Sequence, residues 1–185
     1  GWARDVTISV ENGVIMTLET GAVPEDAVRV GGFAMPGLTS LHSHAFQRGM
    51  AGLAETRGQG EESFWTWREV MYRFLDRLTP DDVASIASQA YLEMLETGFT
   101  AVTEFHYLHH DIDGRPYADP SEMAVAIAKA ASGTGIGLTL LPVLYRFGSF
   151  GEVPAGHGQR RFLNAPEGFE KLVAASERAV SGLED

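Results

Sequence analysis

Pro36-Gly37-Leu38-Thr39-Ser40-Leu41-His42-Ser43-His44 reads as a strand, spanning Leu38 to Ala45, that ends on two histidines. Side chains two apart on a strand share a face, with their Cα atoms about 6.5 Å apart. His42 and His44 could therefore turn both imidazoles onto one ion at the zinc–nitrogen distance of about 2.0–2.1 Å. On a helix the same spacing would point them apart. A bare His-x-His is a weak signal and also fits two polar residues on a sheet. Here the pair closes a strand that the pattern places in the core. Burying two imidazoles without partners is costly, and a shared metal is one such partner.

The chain before this strand predicts short strands. Val6, Ile8 and Val10 alternate with polar residues, Asn12-Gly13 is a hairpin turn signal, and Val14-Ile15-Met16 starts the return. Val28-Arg29-Val30 is expected to be a third strand. After His44 the pattern turns to alternating helices and strands. A helix is expected from about Glu62 to Asp76. The next opens at Thr79-Pro80-Asp81-Asp82, with Thr79 as N-cap and Pro80 at the first helical position, and runs to Leu95. Thr100 to Tyr107 is a strand. Asp119-Pro120-Ser121-Glu122 opens a helix with a capping-box-like pattern that reaches Gly133. Gly137 to Tyr145 is a nearly continuous apolar run, expected as a strand buried on both faces. Asn164-Ala165-Pro166-Glu167 opens a last helix to about Ser181.

Alternating strands and helices imply an α/β fold with a parallel sheet and right-handed crossovers. Two closures fit: an open doubly wound sheet or a (β/α)8 TIM-like barrel. A barrel takes roughly 250 residues. About 150 of the 185 residues follow Pro36, room for about three units, so a barrel would make this chain a fragment.

Bulk composition narrows the partners. The net charge of -11 argues against nucleic acid and anionic membranes, which need basic surface, but leaves room for a small acidic substrate held by local arginines. Cysteine is absent, so any metal must be held by His, Asp or Glu. No apolar run approaches the roughly 18 residues of a membrane span. No secretory-signal pattern is visible, and a cytoplasmic enzyme is the expectation.

Pro36-Gly37-Leu38-x-x-Leu41-His42-Ser43-His44 resembles the first-strand signature of the amidohydrolase superfamily. The resemblance implies a distorted (β/α)8 barrel with a small β-sandwich domain built from both chain ends. Residues 1–35 would be the N-terminal strands of that sandwich, and 36–185 the first three or so βα units of the barrel. Within the superfamily, four segments are similar to the formimidoylglutamate deiminases of histidine degradation: His42 to Leu53, Phe64-Trp65-Thr66-Trp67-Arg68, Thr103 to His110, and Gly158-Gln159-Arg160-Arg161-Phe162. This implies hydrolysis of N-formimidoyl-L-glutamate to N-formyl-L-glutamate and ammonia, with one divalent metal, zinc, on His42, His44, a later His and a late Asp. Those later ligands, and the catalytic acid and base, are expected beyond Asp185. The 185-residue chain alone is therefore expected to be inactive and to bind zinc weakly. A homodimer is the common assembly of such enzymes.

The same resemblance gives roles to residues that are ambiguous by themselves. Gln47 is by default a solvated loop residue, and the resemblance makes it a substrate contact. Arg68, among Phe64, Trp65 and Trp67, would stack on a helix surface; the resemblance makes it a carboxylate ligand, for which its planar fork suits. Trp65 and Trp67 are left as packing. If Tyr107 faces the barrel interior, so does Phe105, while Glu104 and His106 face the helices. Tyr107 could then donate its hydroxyl to a carboxylate. His109 and His110 read as loop residues, His157 as a loop histidine, and Arg146, Arg160 and Arg161 as surface charge. A competing enzyme assignment is a deaminase of a guanine-, cytosine- or adenosine-type base, although Arg68 with Tyr107 favours the acidic substrate. A non-catalytic binding or oligomerisation module is the alternative outside enzymes.

Overall fold

Asn12 and Gly13 take φ values of 50° and 79°, the left-handed backbone that a two-residue hairpin turn demands. They join β1 (Val6–Glu11) to β2 (Val14–Thr20), antiparallel, with Glu11 opposite Val14. This hairpin belongs to the first of two compact units, residues 1–36; the second covers 37–185. The computed structural model describes residues 1–21, 23–55 and 63–181.

The expected third strand at Val28–Val30 does not form, and both valines are almost fully exposed. β-branched residues favour a pleated surface only where a neighbour supplies the ladder. Residues 28–30 have no such neighbour among the described residues. The hairpin's own apolar side chains, Val10, Ile15 and Leu18 among them, are also exposed. Two strands cannot bury either of their faces by themselves.

The second unit runs β3 (Leu38–Ser43), a 3-10 turn (Ala45–Met50), α1 (Phe64–Leu75), α2 (Pro80–Glu96), β4 (Phe99–His106), α3 (Glu122–Thr134), β5 (Gly137–Pro142) and α4 (Pro166–Ser181). The helix starts follow local chemistry. Ser63 and Thr66 form a capping box on α1, and Thr79 with Asp82 forms one on α2, with Pro80 in the first turn. Glu62, the expected first residue of α1, lies outside the described residues. At α3 the capping box is not realised. Ser121 makes no side-chain cap; the Asp119 carboxylate instead accepts from the Ser121 N–H at 2.9 Å and hydroxyl at 2.7 Å.

The three strands form one parallel sheet in the order β3-β4-β5. Three strands in chain order fit a barrel and also one half of a doubly wound sheet, whose reversal comes only at its switch point. The layering favours the barrel. Val102, Glu104 and His106 of β4 are buried on the side of the helices, and Val102 joins a core with Val83, Ala87 and Tyr91 of α2 and Ile127 and Ala130 of α3. The opposite face, with Ala101, Thr103 and Phe105, is only half-buried. Among the described residues, the helices that pack on the strands, α2, α3 and α4, leave the face of Ala101, Thr103 and Phe105 uncovered, as in an arc of a barrel wall. Gly37 is needed at its start: a Cβ there would lie 2.8 Å from the Cβ of Thr100.

β5 is shorter than expected and buried on one side. It stops at Pro142, opposite the last residue of β4, and Tyr145 makes a single isolated bridge to Leu163. Leu138 and Leu140 are half-buried, while Thr139 and Leu141 are exposed on the inner face. No helix among the described residues is long and apolar enough to cross a membrane.

Candidate metal and substrate site

The end of β3 carries an extra residue. Ser40 pairs with Val102 and Ser43 with Glu104, so three steps on β3 oppose two on β4. Such a bulge re-aims side chains at a strand end. Here it turns Ser43 into the buried layer and leaves His42 and His44 on the inner face.

Glu104 holds the bulge from behind. It is 1% exposed; one carboxylate oxygen accepts from the Ala45 N–H at 2.7 Å and the other from the Tyr91 hydroxyl at 3.2 Å. Burial pushes its carboxyl pKa up, and the bonds from Ala45, Ser43 and Tyr91 oppose that. The backbone directly after His44 is thus tied to β4 and α2.

On the inner face, His42 Nε2 and His44 Nε2 stand 3.0 Å apart. Two nitrogens on one tetrahedral ion at about 2.0–2.1 Å would be roughly 3.3 Å apart, so the pair fits a shared cation with little adjustment. His44 Nδ1 lies 2.9 Å from the Phe105 carbonyl oxygen. A carbonyl only accepts, so Nδ1 carries the proton and Nε2 keeps its lone pair, the tautomer a metal takes. Burial pushes the His44 pKa down; the Phe105 carbonyl opposes this and His42 adds to it. Among the described residues, no cluster of three or more His, Cys, Asp or Glu forms a metal site.

The neighbours of this pair are donors. Tyr107 packs edge-on to His44 at 5.0 Å between ring centroids, and its hydroxyl accepts from Gln47 Nε2 at 3.1 Å. Burial pushes the Tyr107 phenol up to about 12, so it stays protonated at neutral pH. Arg68 reaches in from α1. Its guanidinium lies 5.3 Å over the Tyr72 ring and 5.8 Å over Trp65, and donates to the Tyr145 hydroxyl at 3.0 Å. Phe162 links the two groups, with Tyr107 on it at 4.9 Å and Tyr145 at 5.5 Å.

His42 meets His44, His44 meets Tyr107 and Tyr107 meets Gln47, and Arg68 joins this chain through two further rings, Tyr145 and Phe162. The strand parity read from sequence holds: Phe105 and Tyr107 lie against the histidines, and Glu104 and His106 face the helices.

Several loop residues differ from expectation. Arg161 is not surface charge. It is 1% exposed and donates to the carbonyls of Leu75, Leu78 and His110. Arg160 pairs with Asp76 at 2.8 Å. His109 and His110 are outside helices and strands, as expected, but are buried, bonded to the carbonyls of Val143 and Leu163. Arg146 remains exposed, over Phe147. Sequence reasoning gave no role to Glu104, Tyr145 or Gln159. The one signal for Tyr145 and Gln159 was their place around a Gly-rich loop at a strand end, where barrel sites are built.

The amidohydrolase family model matches residues 33–179. A formimidoylglutamate deiminase of Pseudomonas aeruginosa is 55% identical over 174 residues, which cover 94% of this chain and 38% of that protein. The crystal structure of an amidohydrolase from Brucella melitensis superposes with a TM-score of 0.93 at 51% identity, over 100% of this chain and 41% of that one. The chain thus spans about two fifths of the length of these relatives. Enzymes of this family generally use a divalent metal, and their fold is the TIM barrel whose arc the sheet forms. By the family match, its extent and the sheet order, the chain belongs to the amidohydrolase family.

Proposed function

We propose that this chain is the N-terminal part of a formimidoylglutamate deiminase, hydrolysing N-formimidoyl-L-glutamate to N-formyl-L-glutamate and ammonia in histidine degradation. The observation that carries this is the pairing of two converging imidazoles with a set of carboxylate-directed donors: Tyr107 in contact with His44, Gln47 bonded to Tyr107, and Arg68 beyond them. The printed name of the 55%-identical relative supports the substrate.

His42 and His44 would hold one divalent ion, zinc, with further ligands from parts of the enzyme outside residues 1–185. Such an ion supplies Lewis acidity and lowers the pKa of water toward about 7. Residues of this chain would supply part of the substrate binding. Arg68, a permanent cation with a planar fork, neutralises one substrate carboxylate. Tyr107 is held protonated by burial and donates a hydrogen bond; Gln47 fixes its hydroxyl and offers its own amide. Phe105, packed on both histidines, would give the space beside them an apolar wall, which strengthens polar bonds made there. The acid and base for ammonia departure are assigned to no residue of this chain. Residues 1–35 would contribute to a β-sandwich completed by other strands.

The test is ammonia release by the full-length enzyme from N-formimidoyl-L-glutamate, beside guanine, cytosine and adenosine. Turnover of the formimidoyl substrate is expected, lost on chelation and restored by zinc. Turnover of a nucleobase in its place would overturn the proposal. A chain ending at Asp185 is expected to show no turnover.

A further inference from the structure

The Tyr145 hydroxyl accepts two hydrogen bonds, both from groups that can only donate to it. Arg68 Nη2 donates to it at 3.0 Å, and a guanidinium has no acceptor. Gln159 Nε2 donates to it at 2.8 Å. The orientation of that amide is fixed at its other end, because Gln159 Oε1 accepts from the Gly156 N–H at 2.8 Å while Nε2 also donates to the Gly148 carbonyl at 3.2 Å. Gln159 is buried, so this arrangement does not exchange with solvent.

Both lone pairs of the Tyr145 oxygen are therefore occupied, and its own O–H has no acceptor among the described residues. A phenol that accepts two bonds, one from a cation, is a stronger donor through its remaining proton. The position is relevant. Tyr145 packs on one side of Phe162 and Tyr107 on another, so its hydroxyl stands beside Arg68 near the pocket that Tyr107 shares with His44. The residue as a whole is half-buried rather than sealed in the core.

We infer that Tyr145 is a substrate ligand: its hydroxyl donates to the same carboxylate that Arg68 neutralises, with Gln159 as the positioning residue that leaves this proton no other use. The inference rests on the proposed dicarboxylate substrate and adds a residue and a division of labour to it. Arg68 supplies charge, and Tyr145 supplies a directed donor beside it.

The experiment is Tyr145→Phe in the full-length, zinc-loaded enzyme, with Arg68→Met and the double variant, assayed for turnover of N-formimidoyl-L-glutamate and for calorimetric binding of N-formyl-L-glutamate. Phenylalanine keeps the ring on Phe162, and a melting curve checks the fold. Tyr145→Phe is expected to raise KM and the Kd of the formyl ligand about tenfold or more, the loss of one bond to a charged acceptor, with kcat changed far less. It is also expected to weaken binding further in the Arg68→Met background. An unchanged Kd, or no additional effect once Arg68 is gone, overturns the inference and makes Tyr145 a prop for Arg68 alone. If Tyr145→Phe does not fold, Gln159→Leu is expected to raise KM to a lesser extent, and a wild-type KM there counts against the proposal. An enzyme that binds the formyl dicarboxylate in a Tyr145-dependent way but releases no ammonia would overturn the proposed function and leave this site standing. Binding neither would overturn both.

Discussion

Replacing Glu104 with leucine tests whether the histidine pair is held from behind. Leucine keeps much of the volume and removes the acceptor. The donors that lose their partner include the Ala45 N–H, at 2.7 Å, and the Tyr91 hydroxyl, at 3.2 Å. Ala45 is 3% exposed and Tyr91 fully buried, so water does not replace the carboxylate. A buried donor left unpaired costs about 1–3 kcal/mol, giving about 2–6 kcal/mol for the two. Relief of a buried carboxyl, whose pKa burial already pushes up, offsets part of this, and the net loss should be about 2–4 kcal/mol. Glu104→Gln keeps an oxygen for Ala45, and the Tyr91 hydroxyl can rotate to accept from the new amide, so its cost should stay below about 1.5 kcal/mol. Ala45 follows His44 directly. Its release loosens the 2.9 Å bond that fixes the His44 tautomer, and zinc affinity should fall about tenfold with leucine and much less with glutamine. Urea denaturation and competition titration against a zinc chelator measure the two effects. Equal stability and zinc affinity for wild type and Glu104→Leu, or indistinguishable Leu and Gln variants, would refute the reasoning.

Two further outcomes follow from the buried loop. Burial pushes His109 down to about 4, with the Val143 carbonyl partly opposing it, while an unfolded histidine sits near 6.5. The unfolded chain then binds more protons between these values, so stability is lost as the pH falls from about 6.5 toward 4, by about 2 kcal/mol at pH 5. His109→Phe should flatten the urea-midpoint slope between pH 7 and 5, leaving the part due to His44, His106 and His110, which burial also lowers; identical slopes would count against this. Arg161→Met should destabilise by about 3 kcal/mol or more, because carbonyls of Leu75, Leu78 and His110 lose a buried charged donor. Arg161→Lys should not rescue it, since a single ammonium cannot span the three, and a lysine variant within about 0.5 kcal/mol of wild type would show that the fork is not needed.

What was legible in the sequence was what neighbours along the chain decide. Asn12-Gly13 fixes a turn by its own backbone freedom, and Thr79-Pro80-Asp81-Asp82 starts a helix with groups inside one turn. His42 and His44 share a face, as two steps along extended chain lead one to expect, and the bulge between Ser40 and Ser43, which includes His42, sets which face without separating them. Val28–Val30 failed because a strand needs a partner from elsewhere in the chain. Arg161 failed for a related reason. A charged residue beside glycines looks solvated, and nothing local contradicts that. Yet α1 ends at Leu75, and the last carbonyls of any helix lack intrahelical donors. Leu75, at that end, and Leu78, in the turn that follows, lie more than 80 residues before Arg161 in sequence. The need for a donor was therefore readable from the predicted end of α1, and its supplier was not. Tyr145 and Gln159 fall in the same class, because their roles depend on which donors the fold brings to one oxygen. The residues that position this site are thus harder to read than those that form it: His42 and His44 carry their chemistry in their spacing, whereas Glu104, Arg161 and Gln159 carry theirs only in what they meet.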